Sequence, residues 1–139
     1  MITQTQTTSF KAELYEGIHD LLTDEIKIAL YTALATLNQD TTVYTTTYEV
    51  ASGNGYTTGG EVAQNVTVNS SGSTAYVSFD NVVWDPASFT CRGALIYNAS
   101  KDNRSIAVLN FGTDKTATNT FTITLPANTA DSALIRSSN

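Results

Sequence analysis

The chain changes its rhythm of apolar and polar positions along its length, and each change predicts a different kind of element. Residues 1–9 are polar, rich in Thr and Gln and without periodicity, which predicts a flexible N-terminal arm. Phe10, Leu14, Tyr15, Ile18, Leu21 and Leu22 then fall at spacings of three and four. That spacing builds one face of a short helix, with Ser9 placed to cap it. Gly17 argues against a long regular helix, because glycine costs backbone entropy in a helix interior. From Ile26 to Thr32 the period becomes two, with Ile26, Ile28 and Leu30 alternating with Lys27, Ala29 and Tyr31, the signature of a strand.

Between Ala33 and Gly60 the pattern dissolves into Thr, Tyr, Asn and Gly. A loop of that length without its own structure is uncommon, and is often functional where it occurs. Gly53-Asn-Gly55 and Gly59-Gly60 mark turns, or tight crossings where glycine lets two backbones approach. Beyond Glu61 the rhythm is regular. Val62–Asn69, Thr74–Phe79, Phe89–Asn98, Ser105–Phe111, Thr120–Leu125 and Ala133–Arg136 read as strands. Turn residues separate them at Ser70–Gly72, Asp85-Pro86, Lys101–Asn103, Thr113–Lys115 and Pro126–Asn128. Ala94–Tyr97 and Ile106–Leu109 form a central hairpin whose near-continuous apolar runs predict burial on both faces. The expected fold is mainly β: a single antiparallel β-sandwich or barrel with a short N-terminal helix. The arm of residues 1–9 precedes one domain over residues 10–139.

Composition narrows the function classes. At 139 residues and 14.9 kDa the chain can bury roughly two-thirds of its unfolded surface without disulfide or metal staples. Charged residues are only 14%, against roughly 25% in ordinary globular proteins. Thr, Ser and Asn fill the difference. The net charge is −6 and the seven basic residues are scattered, so no nucleic-acid partner is expected, and no anionic membrane surface. The N-terminus lacks a basic start and an apolar core, and Ile26–Leu37 is too short and too interrupted to span a bilayer. The product is expected to be made in the cytoplasm.

Candidate chemistry is sparse. The single His19 has no nucleophile motif to serve, and the single Cys91 reads as a small apolar residue at the start of a core strand. Asp20, Asp24 and Glu25 lack the alternation and the turn glycine of a calcium loop and read as a solvated helix end. The glycine-rich stretch Gly53–Gly60 leads into a strand, not into the helix a phosphate cradle requires. No catalytic residue, cofactor or metal is therefore expected. Contact is the remaining chemistry. The candidate contact residues are Thr5, Thr7 and Phe10 at the arm, and Tyr44, Tyr48 and Tyr56 in the long loop. Those tyrosines suit a protein interface or a sugar-stacking platform, because Tyr buries area at low entropic cost.

Four segments, in this order and spacing, carry a resemblance. They are Phe10-Lys-Ala-Glu-Leu-Tyr-Glu-Gly-Ile-His19 with Ile26-Lys-Ile-Ala-Leu-Tyr-Thr32, then Glu49-Val50 with Gly55-Tyr-Thr-Thr-Gly-Gly60, then Arg92-Gly-Ala-Leu-Ile-Tyr-Asn98, then Val108-Leu-Asn-Phe-Gly112. Together they resemble a family of small structural proteins of tailed-bacteriophage virions, over nearly the whole chain from residue 10. The resemblance implies a non-enzymatic virion protein, expected to act as a capsid decoration (cement) protein bridging neighbouring capsid subunits. A neck, collar, tail-adaptor or fibre-attachment role is the alternative within that family, and a carbohydrate-binding module the alternative outside it. The implied partners are the major capsid protein or other virion proteins. A homo-oligomer is also expected, a trimer being the natural solution where a module caps a local threefold.

Overall fold

The computed structural model describes residues 1–137; residues 138 and 139 of the expected domain lie outside the described residues. Ten strands and one helix follow the chain in the order β1 (Thr5–Gln6), α1 (Thr8–Tyr15), β2 (Ile26–Tyr31), β3 (Glu61–Val62), β4 (Thr67–Ser71), β5 (Thr74–Ser78), β6 (Val82–Trp84), β7 (Phe89–Asn98), β8 (Arg104–Ala117), β9 (Phe121–Ile123) and β10 (Ile135–Ser137). They make a five-stranded sheet in the order β1-β8-β7-β2-β3, a three-stranded sheet β10-β5-β4 and a two-stranded sheet β6-β9. All named strand pairs are antiparallel. The sheets do not close on themselves, so the architecture is sandwich-like and not a barrel.

The hairpin at the centre has the expected partners, Ala94 opposite Leu109 and Leu95 opposite Val108. Because strand side chains alternate in direction, β2, β7 and β8 feed two separate apolar layers. Ile26, Ile28, Leu30, Ala94, Ile96 and Leu109 face one, where Phe10, Val82, Trp84, Ile123 and Ile135 from the other sheets and α1 cover them. Ala29, Tyr31, Leu95, Tyr97 and Val108 face the other, covered by Ile2, Ala35 and Leu37.

That second cover overturns two expectations. Residues 1–9 do not project as an arm: β1 pairs with β8, Ile2 is buried, and Thr3 N–H donates to the Leu37 carbonyl at 2.8 Å. Nor does residues 33–60 stand free as a loop. Val50 N–H donates to Leu30 O and Thr32 N–H to Tyr48 O, both at 2.9 Å, so this stretch prolongs the sheet beside β2. Tyr44 N–H likewise reaches Asn103 O at 2.9 Å beside the start of β8. The apolar residues that do the covering are too few and too widely spaced to show a period. Backbone bonds hold the layer instead.

Other departures are local. The strand expected over Val62–Asn69 is broken into β3 and β4 around Asn65, whose φ is 55°. The Thr113–Lys115 turn lies inside β8, where the register jumps between Cys91 and Gly93, Gly112 takes a φ of 84°, and the strand continues to Ala117. β6, Val82–Trp84, is only three residues long, too short for its alternation to mark a strand. The tight crossings do occur: a side chain at Gly60 would run into the Ile28 carbonyl, and one at Gly55 into that of Pro86.

Candidate interaction groove

Helix α1 begins two residues earlier than its apolar spacing suggests. Thr7, not Ser9, is the N-cap, its Oγ1 accepting from Phe10 N–H at 3.3 Å. Ser105 Oγ donates to the same oxygen at 2.9 Å, which seats the cap on β8. The helix stops after eight residues because Gly17, at a φ of 72°, turns the chain left-handed. Ile18 N–H then reaches Glu13 O at 3.1 Å and Gly17 N–H reaches Leu14 O at 3.2 Å, the two bonds of a Schellman stop. Leu21 and Leu22 therefore lie in a turn beyond the helix instead of on its face.

The turn is pinned by a polar network running under it. The His19 side chain is fully enclosed, and its Nε2 meets Glu13 Oε1 at 2.8 Å while Nδ1 meets Asn98 Nδ2 at 3.0 Å. An amide nitrogen can only donate, so Nδ1 accepts and Nε2 carries the proton toward Glu13. Arg104 pairs with the other Glu13 oxygen at 2.9 Å. Asn98 Nδ2 also donates to Asp24 Oδ2 at 2.7 Å, and Lys101 pairs with Asp24 at 2.8 Å. Burial works to raise the Asp24 carboxyl, but the hydrogen bonds from Asn98, Lys101 and the Asp20 backbone outweigh it and hold it below the usual carboxylate range. Asp24 is thus an internal anchor and not part of a solvated acidic cluster. Both His19 ring nitrogens are committed to holding the turn.

What this leaves open is a groove. Phe10, Leu14, Leu21 and Leu22 form one wall, and Val68, Val77 and Ile135 of the β10-β5-β4 sheet form another, around about 480 Å³. A second basin of about 650 Å³ adjoins it, lined by Thr5, Gln6, Lys11, Leu14, Tyr15, Arg136 and Ser137. Gln6, Leu14, Arg136 and Ser137 border both basins. Apolar side chains lie open along them: Tyr15 is 93% exposed and Leu22 61%. Such clustered exposure on a folded surface marks a contact site more often than scattered apolar residues do.

The expected contact residues divide. Thr5 lines the groove, and Phe10 is part of its wall while belonging to the core. Thr7 is fully buried as the helix cap. In the long loop, Tyr56 is 2% exposed and its hydroxyl donates to Glu49 Oε2 at 2.5 Å. Tyr44 donates to Glu49 Oε1 at 2.5 Å and stacks on Tyr97 with ring centroids 4.6 Å apart. Gly59 N–H completes the cluster, reaching Glu49 Oε2 at 2.8 Å. Burial, then the hydrogen bond to Glu49, pushes both hydroxyls well above the ordinary tyrosine value, so they remain neutral donors. Tyr48 alone of the three is exposed, at a φ of 60°. A stacking platform built from all three rings is not what the loop forms; Glu49 gathers two of them to clamp it.

Cys91 is buried, and burial, with the Asp114 charge adding to it, pushes its thiol up to about 12. Among the groove residues that sequence reasoning missed are Lys11, Leu22, Val68 and Arg136. Leu22 carried a signal in its helical spacing, but that spacing pointed it inward. The others carried none, because they meet only through the pairing of β10 with β5. No family model, curated protein or solved structure matches the chain.

Proposed function

We propose that the chain is a non-enzymatic structural protein of a tailed-phage particle, decorating the assembled capsid and bridging neighbouring capsid subunits. The observation that carries the docking part of this reading is the open apolar groove beside α1, where Leu14, Tyr15 and Leu22 stay exposed together. The resemblance described above supports the phage part. A low density of charge and a Thr-rich surface suit repeated polar contacts, and a net charge of −6 keeps a free module dispersed before assembly.

In this reading contact moves from the long loop, which covers the sheet, to the groove, to which Thr5 and Gln6 are the contribution of the N-terminal segment. Quantitative mass spectrometry and cryo-electron microscopy of purified phage particles test it. Hundreds of copies per particle, with density on the capsid shell and α1 turned toward a capsid subunit, are expected. A handful of copies at the neck or tail would replace decoration by a collar, adaptor or fibre-attachment role. Absence from the particles would overturn the phage reading altogether.

A further inference from the structure

Two features of the groove specify an occupant. The first is charge. Arg92, Lys101 and Arg104 are each paired, with Asp114, Asp24 and Glu13. Lys11, Lys27, Lys115 and Arg136 have no carboxylate within 4.0 Å among the described residues; of these, Lys11 and Arg136 line the same basin, Arg136 also donating to the Asp131 carbonyl. A chain of net charge −6 thus sets two cations without a carboxylate partner among the described residues on one basin. Asp20, the lining's carboxylate among the described residues, borders the apolar basin and already accepts from Leu22 N–H at 3.3 Å.

The second is backbone. β1 is the edge of the five-stranded sheet, β10 is the edge of the three-stranded one, and both front this basin. The Arg136 carbonyl is turned away from β5 into the gap, where the Gln6 side-chain amide donates to it at 2.8 Å. A flexible glutamine amide at a sheet edge occupies the place that a backbone N–H of an added strand would take.

We propose that the α1–β10 groove receives an extended segment of a partner protein in which carboxylate and apolar side chains alternate, and that this segment adds as a strand to β10. Its backbone displaces the Gln6 amide from Arg136 O. Alternation sends one set of side chains onto Leu14, Leu22 and Val77 and presents the other to Lys11 and Arg136. A helix would satisfy the apolar walls but leave the β10 edge unused, and a basic segment would face two like charges. The inference rests on the groove being the contact, as proposed above, and not on the identity of the particle.

Selection from a random displayed heptapeptide library against the full chain tests it. The enriched peptides are expected to carry Asp or Glu between apolar residues. Bound to the ¹⁵N-labelled protein, the best of them should shift the amides of β10 and α1 and leave those of residues 43–48 in place. The double variant Lys11→Glu with Arg136→Glu, both at exposed positions, should weaken that peptide roughly tenfold, and a Lys-for-Glu version of the peptide should recover binding. Gln substitutions at the same two positions check that lost binding reflects charge and not unfolding, with an intermediate loss expected. A consensus without acidic residues, binding indifferent to the charge reversal, or no enriched peptide would each overturn the proposal. Concentration-dependent shifts of the same amides without peptide would assign the groove to a second copy of the chain and overturn it too. None of these outcomes depends on where the protein sits in a particle, so this failure is distinguishable from failure of the phage reading.

Discussion

The central sheet is covered in two different ways on its two faces. One face is closed by strands and a helix whose apolar residues repeat at regular spacings, with Phe10, Val82, Trp84, Ile123 and Ile135 as the main contributors. The other is closed by irregular chain, with Ile2, Ala35 and Leu37 as its small apolar content. The irregular cover compensates with polar anchors: Glu49 gathers Tyr44, Gly59 and the hydroxyl of Tyr56, whose ring packs in the opposite layer against Trp84 and Phe89, Tyr31 Oη donates to Thr45 O, and Tyr97 Oη donates to Gly59 O at 2.6 Å. A sheet face can therefore be shut by hydrogen bonding where periodic hydrophobicity is missing. Such a cover should yield more readily than a packed one.

The largest test of that difference uses neighbours on β7 that point to opposite layers, both fully buried. Ile96→Ala should cost about 4 kcal/mol, because the packed face cannot collapse around the cavity. Leu95→Ala should cost about 3 kcal/mol, since the irregular cover can settle into the space. Denaturant unfolding of the two variants measures both. Equal costs, or a larger one for Leu95, would erase the distinction between the faces.

Next in size is the clamp itself. Glu49→Ala leaves two phenol hydroxyls and one backbone N–H without their acceptor, for an expected loss of about 2 kcal/mol, water entering to soften it. Hydrogen exchange should quicken over residues 33–60 while β4 and β5 keep their protection. Uniform quickening would mean that the loop layer is not a separable unit.

These two faces also divide what could be read from the residues alone. The hairpin from Phe89 to Leu109 and strand β2 were legible because their apolar runs have no other use in a chain this short. The covering role of residues 1–9 and 33–60 was not legible: three apolar residues spread over Ile2, Ala35 and Leu37 make no period, and bonds such as Thr3 N–H to Leu37 O depend on chain reversals that leave no local trace. The tyrosines drew attention as surface residues because aromatic side chains in polar sequence look exposed. Glu49 is what turns Tyr44 and Tyr56 inward, and a lone glutamate among threonines does not announce that role. The groove was half legible. Its helix wall is in the spacing of Phe10 and Leu14, but Gly17 ends the helix early, and the β10 wall exists only after long-range pairing.

Alkaline titration sharpens the comparison without a mutation. Burial, with the Glu49 charge adding to it, raises Tyr31 above its ordinary 10.0 and raises Tyr97 to about 12, and Tyr44 and Tyr56 are raised as well. A raised folded value for an acid means the neutral form is favoured in the fold. The stability these groups contribute is therefore fully present below pH 10 and declines as pH rises beyond it. The phenolate absorbance of these four should appear together with loss of protection in residues 33–60, ahead of β4 and β5. Smooth ionisation of all four in a fully protected protein would show that the clamp does not depend on neutral phenols.

The smallest effect belongs to Tyr48, which the two covers treat as neither core nor clamp. It is 51% exposed and sits at a φ of 60°, a conformation that suits glycine and costs an aromatic residue roughly 1 kcal/mol. Its carbonyl nonetheless accepts from Thr32 N–H, so the backbone there cannot relax without losing a sheet bond. Tyr48→Gly keeps that carbonyl and removes the strain, but loosens the unfolded chain, and the two effects oppose each other. The expected result is a gain in stability of less than about 1 kcal/mol by thermal unfolding, with the bonds from Thr32 N–H to Tyr48 O and from Val50 N–H to Leu30 O intact by hydrogen exchange. A clear loss would mean that the exposed ring itself holds the loop layer down, and the irregular face would then owe part of its closure to a side chain lying on its outer surface.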